Sequence, residues 1–134
     1  MEWKIVIDGE PKGKARPRIT KTGHAYTPKS THDYEKLIAL AFKNKYKNVE
    51  PTRRSLKVIM TAYFKMPKSW SKKKCELALK GEIRPTKKPD ADNIGKMVDA
   101  LNGIAWHDDS QIVEHTIIKW YSDEPRLEIK VEGI

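Results

Sequence analysis

The apolar residues of this chain change their spacing repeatedly, from every second residue to every third or fourth and back. That switching constrains the fold more than any other feature, because period two buries one face of a strand and a period near 3.6 buries one stripe of a helix. Residues 3–8, WKIVID, alternate and are β-branched, which predicts a strand. From Tyr34 to Tyr46 the apolar positions Leu37, Ile38, Leu40, Ala41 and Phe42 recur at helical spacing, with Ser30 or Thr31 as the expected N-cap. LKVIMTAYF, residues 56–64, alternates again, with Val58, Met60, Ala62 and Phe64 on one face and Lys57, Ile59, Thr61 and Tyr63 on the other. A short lysine-rich helix follows, capped by Ser69 or Ser71 and stopped by Gly81. A third helix fits residues 91–102. Residues 111–121, QIVEHTIIKWY, read as a strand, and 126–132, RLEIKVE, as its hairpin partner across a turn at Glu124 and Pro125.

The resulting order, β-α-β-α-α-β-β, predicts an α+β fold: one domain over residues 1–134, a mixed β-sheet, and helices packed on one face. A chain of 134 residues buries roughly two-thirds of its unfolded surface, so no disulfide or metal staple is required. Cys75 is the only cysteine, which excludes an internal disulfide and a cysteine-based zinc site and suits a reducing cytoplasm. No apolar run approaches the ~18 residues of a membrane span, and the opening MEWKIVIDGEPKGK lacks the apolar core of a signal peptide, so no membrane partner is expected. No Gly-rich phosphate loop and no Ser-His-Asp arrangement appears.

The formal net charge is +9, which attracts polyanions, nucleic acid first among them. Lys12, Lys14, Arg16, Arg18 and Lys21 place five cations within ten residues, in a loop broken by Pro11, Pro17 and Pro28. Lys87 and Lys88 form a second basic step. Lys12, Lys14, Arg16, Arg18, Lys87 and Lys88 are the expected phosphate contacts. Lys72, Lys73 and Lys74 read as a solvated face, and Trp70 is the best-placed of the tryptophans for stacking on a base.

Against this basic background stands PDADNIGKMVDALNG, residues 89–103. On a helix, Ile94, Met97, Val98 and Leu101 form one apolar stripe, and Asp92, Lys96 and Asp99 fall opposite. Asp90 sits at the helix start, and Asp108 and Asp109 follow in WHDDSQ, just before a strand. Convergence of Asp90, Asp92 and Asp109 would make a site for a hard cation, since clustered carboxylates repel one another and oxygen donors suit magnesium or manganese. Lys96 could then steady negative charge on a phosphoryl group. Blander readings stand beside these. Asp90 fits an N-cap, Asp92 and Lys96 an exposed i, i+4 ion pair, Asp99 a structural role and Asp108–Asp109 turn residues.

The run DADNIGK followed by WHDDSQIVE resembles the RusA-type Holliday junction resolvases of bacteria and their prophages. Asp90, Ala91, Asp92, Asn93 and Lys96 match that family's Asp-x-Asp-Asn-x-x-Lys motif, and Asp108, Asp109, Ser110 and Gln111 its Asp-Asp-x-Gln pattern. The opening PKGKARPR resembles the branch found in Gram-positive prophages. The resemblance implies a Mg²⁺-dependent endodeoxyribonuclease, with Mn²⁺ as a substitute, that resolves four-way DNA junctions by paired symmetric nicks in recombination and repair. It implies catalytic and metal-binding roles for Asp90, Asp92 and Asp109, and a catalytic role for Lys96. Asp99 has a family counterpart without a settled role, and Asp108 is the weaker ligand candidate of its pair. A symmetric homodimer is implied too, and it fits a substrate with approximate two-fold symmetry.

Overall fold

The computed structural model describes residues 1–134. Its central strand is β4 (Leu56–Phe64), in which Leu56, Val58, Met60, Ala62 and Phe64 are buried and the residues between them are half-exposed, as the alternation requires. β4 lies between β5 (Ile112–Tyr121), to which it runs parallel, and β6 (Arg126–Gly133), to which it is antiparallel. β1 (Glu2–Asp8) pairs antiparallel with the far side of β6, giving a mixed sheet of order β1-β6-β4-β5.

The hairpin expected from residues 111–121 and 126–132 is therefore absent. The short connection Ser122–Pro125 does not fold β6 back onto β5 but steps over the end of β4, where Ser122 N–H bonds Phe64 C=O at 2.9 Å. Arg126 secures this crossing by donating to Glu124 C=O at 2.8 Å. The physical reason is burial: inserting β6 beside β4 places Leu127, Ile129 and Val131 in the middle of the sheet, where all three are nearly inaccessible.

The helices lie against the buried face. α1 (Lys29–Lys45) packs Tyr34, Ile38 and Phe42 inward, with Phe42 meeting Trp3 edge-on at 5.1 Å between ring centroids. Ser30 and Thr31 fall inside its first turn rather than capping it; Pro28 occupies the N-cap, and Thr31 is buried, accepting the Ala15 N–H. α2 (Lys72–Leu79) is capped as expected by Ser71, whose hydroxyl accepts from Lys74 N–H at 3.2 Å. It ends before Gly81, whose φ of +82° suits a residue without Cβ.

The third predicted helix is split. Ala91–Gly95 forms α3, and Lys96–Leu101 continues as a tighter 3-10 helix. The apolar stripe survives the change, with Ile94, Met97, Val98 and Leu101 all buried. A two-stranded ribbon of β2 (Arg18–Ile19) and β3 (Ala25–Tyr26) stands in the basic loop. The opposite sheet face mixes charged residues with Ile59, Tyr63, Ile118 and Trp120, and it is crossed by ion pairs such as Lys4–Glu128 and Lys130–Glu2, both at 3.5 Å. No helix is long and apolar enough to cross a membrane.

Candidate active site

α3 and the 3-10 helix present one charged face over the N-terminal half of β5. Asp92 and Lys96 are one α-turn apart, with Lys96 Nζ at 3.4 Å from Asp92 Oδ2. Lys96 and Asp99 are then three residues apart in a 3-10 helix, where side chains three apart nearly eclipse. Gly95 lets this wall approach β5, because a Cβ there would lie 3.1 Å from Ile117 and 3.2 Å from the His115 ring.

The third element is a single 3-10 turn, Asp109–Gln111, just before β5. Its neighbours fix it. Asp108 caps the turn by accepting Ser110 N–H at 3.1 Å, and hydrogen bonding to the Ser110 hydroxyl first, then to its N–H, holds the carboxyl below the usual carboxylate range. Gln111 accepts His107 N–H at 2.8 Å and Asp108 N–H at 3.0 Å, while its amide donates to Thr52 and Arg54 C=O. Asp108 and Gln111 are thus structural members of their motif, and Asp109 is left to face the pocket.

The result is an open pocket of about 380 Å³ lined by Asp92, Lys96, Asp99, Asp109 and His115, with Val98, Ile112 and Ile117 as its apolar floor. Hydrogen bonding to Asp99, then desolvation and the Asp99 and Asp108 charges, raise the pKa of Asp109 across the pocket. The pocket's three carboxylates offer oxygen donors that repel one another, which is the chemistry a hard divalent cation relieves, although no three groups lie close enough in this conformation to enclose an ion. His115, expected to be a plain strand residue, enters the pocket because it shares the inward face of β5 with Ile117. Its Nε2 lies 3.2 Å from Met60 Sδ, and desolvation lowers its pKa.

Asp90 lies next door. It occupies the N-cap position of α3, yet its carboxylate caps nothing. It lines a second pocket of about 940 Å³, with Lys12, Lys14, Arg16, Lys88 and Asn93. Lys119, on the inward face of β5, pins the chain leading to Asp90 by donating to Lys87 C=O at 2.7 Å and Pro89 C=O at 2.9 Å. α3 contributes to both pockets, through Asp92 and Gly95 to the first and Asn93 to the second, and the basic loop crosses it: Lys14 N–H bonds Asn93 C=O at 2.7 Å, and a Cβ on Gly13 would lie 2.8 Å from Pro89 Cβ.

Of the sequence-predicted residues, Asp92, Lys96 and Asp109 share the first pocket, and Asp90, Lys12, Arg16 and Lys88 the second. Arg18 stands on the exposed ribbon and Lys87 on the exposed strand of chain before Asp90. Lys14 lines the second pocket, but its ammonium is turned to Asp99 Oδ2 at 3.0 Å and Glu35 at 3.8 Å. Trp70 is no free stacking platform: it packs on Tyr121 at 5.1 Å, with Lys74 Nζ 4.2 Å above its ring. Asp99 reads as structural in the sequence because it lies two turns from Asp92, but the turn that carries Asp109 completes a pocket around it.

Residues 8–132 match the family of the endodeoxyribonuclease RusA. The chain is also 39% identical to the uncharacterised protein YqaN of Bacillus subtilis strain 168, over 98% of this chain and 96% of that protein.

Proposed function

Because the chain belongs to the RusA endodeoxyribonuclease family, we propose that it is a divalent-metal-dependent endonuclease that resolves four-way DNA junctions. The observation that carries this reading is the adjacency of two pockets of opposite character. One gathers Asp92, Lys96, Asp99 and Asp109, and the other pairs Asp90 with a basic wall. A basic surface alone would bind DNA, and carboxylates placed beside it weaken that binding unless a cation offsets them.

In this reading Asp90, Asp92 and Asp109 would hold Mg²⁺, with Mn²⁺ as a substitute, and Asp90 would turn from the second pocket toward the other two. When bound, the cation polarises the phosphodiester and lowers the pKa of water. The chain's own residues do the rest. Lys96, exposed at the rim and paired with Asp92, offers its ammonium to the charge that builds on the phosphorane. Lys12, Arg16, Arg18, Lys87 and Lys88 hold the DNA backbone through its phosphates, reading charge and shape rather than sequence. Lys119 fixes the chain that leads to Asp90 in the second pocket. A homodimer would carry two such sites, related by the symmetry that paired nicks require.

The test is cleavage of a synthetic four-way junction, with linear duplex as control, in Mg²⁺ and then in EDTA. Paired nicks in the junction alone, and only with metal, are the expected result. Tight junction binding without cutting in either metal would leave a DNA-binding protein in place of the nuclease.

A further inference from the structure

We propose that Lys14 is a positioning residue of the carboxylate pocket and not a DNA contact: it holds Asp99 and ties the basic loop to the acidic site. This rests on the nuclease reading for what Asp99 does there, but not for where Lys14 points.

Both ends of Lys14 are engaged. Its main chain is fixed to α3 by the 2.7 Å bond to Asn93 C=O, and the next residue is fixed to α1 by Ala15 N–H on Thr31 Oγ1. Its ammonium lies between Asp99 of the 3-10 helix and Glu35 of α1. The three side chains are 25%, 31% and 18% exposed, against 56% and 80% for Lys96 and Asp92 in the open pair. Turning Lys14 outward to a phosphate would leave two half-buried carboxylates without their cation, a costly exchange. Lys12 and Arg16 on either side are exposed and make no ion pair, so phosphates fall to them. Lys14 thus joins the loop, α1, α3 and the 3-10 helix at one point. It also orients the carboxylate that lines the first pocket together with Asp109.

Two measurements decide the matter. The first is junction binding in EDTA over a range of NaCl, where each lost phosphate contact reduces the slope of log K against log salt by about 0.9. Lys12→Met should show that reduction and Lys14→Met should not. The second is the Mg²⁺ concentration that half-saturates thermal stabilisation of the full-length protein. Lys14→Met and Asp99→Asn should each raise it roughly 10- to 100-fold, with no further rise in the double variant and partial recovery in Lys14→Arg. Lys14→Gln replaces the Met variant if that one fails to fold.

A slope reduced by about 0.9 in Lys14→Met would make Lys14 a phosphate contact and end the proposal. A lowered Tm with unchanged Mg²⁺ half-saturation would end it too, leaving only a structural ion pair. Failure of the wild type to cut a junction would overturn the nuclease reading instead, and the salt slope would still decide whether Lys14 touches DNA.

Discussion

The two pockets differ in how they are built as well as in charge. The acidic one rests on α3, the 3-10 helix and β5, with Ile94, Met97, Val98 and Leu101 buried beneath it. The basic one is walled on one side by an irregular loop whose outer residues are exposed. Side chains that must meet a reacting atom need positions fixed by packed elements, whereas phosphate contacts tolerate a wall that adapts. The difference teaches that substitutions in the first pocket should act on the chemical step, and those in the second on DNA affinity.

The largest expected effect breaks that division most directly. Asp92→Asn or Asp109→Asn should lower junction cleavage by roughly a thousandfold, since metal assistance is worth several kcal/mol, while junction binding in EDTA holds or tightens. Cleavage at the wild-type rate in single-turnover assays would remove that residue from the catalytic set. Asp90→Asn sharpens the comparison, because Asp90 lines the basic pocket yet is expected to behave like its acidic neighbours. An effect on binding alone would move it to the other class.

Next in size, Lys12→Ala with Arg16→Ala should weaken junction binding about tenfold or more at moderate salt and reduce the salt slope by roughly 2, leaving the rate at saturating DNA near wild type. A fall in the saturated rate with unchanged affinity would contradict the division.

A smaller effect concerns packing. Gly95→Ala puts a methyl 3.1 Å from Ile117 and 3.2 Å from His115, so it should cost about 1–3 kcal/mol and loosen the wall of the acidic pocket. Denaturant unfolding measures it, and a neutral result would mean that α3 can move off β5.

The smallest is a pH effect. The folded protein raises the Asp109 pKa above its ordinary value of 3.8, so between those two values the native state holds more proton than the unfolded chain. Stability from this group is present below 3.8 and is lost as pH rises through the raised value. Metal-free Asp109→Asn should lack that loss and unfold slightly later than wild type at neutral pH. Equal melting of the two proteins across this range would show that Asp99 does not raise the Asp109 pKa.

Much of this architecture was legible in the sequence where the signal was local. The alternation of Leu56–Phe64, the stripe of Ile94, Met97, Val98 and Leu101, and the Ser71 cap all depend on neighbours within a few residues, and all appear as expected. The acidic and basic motifs were equally plain. The failures share one cause, which is that distance along the chain says little about who pairs with whom. β5 and β6 looked like a hairpin because four residues separate them, yet the gain from burying Leu127, Ile129 and Val131 beside β4 outweighs local pairing. Asp99 reads as structural until the distant Asp109 turn is placed across the pocket from it.

By itself, then, the sequence determined the element types, the apolar faces and the inventory of charged groups, because those follow from side-chain chemistry and local period. Only the tertiary structure decided that Lys14 turns inward to Asp99, that His115 and Lys119 join the site from β5, and that Asp90 belongs to the neighbouring pocket. Each of these depends on the strand order and on the close approach of one element to another, and those are set by burial of the whole core rather than by any short stretch of chain.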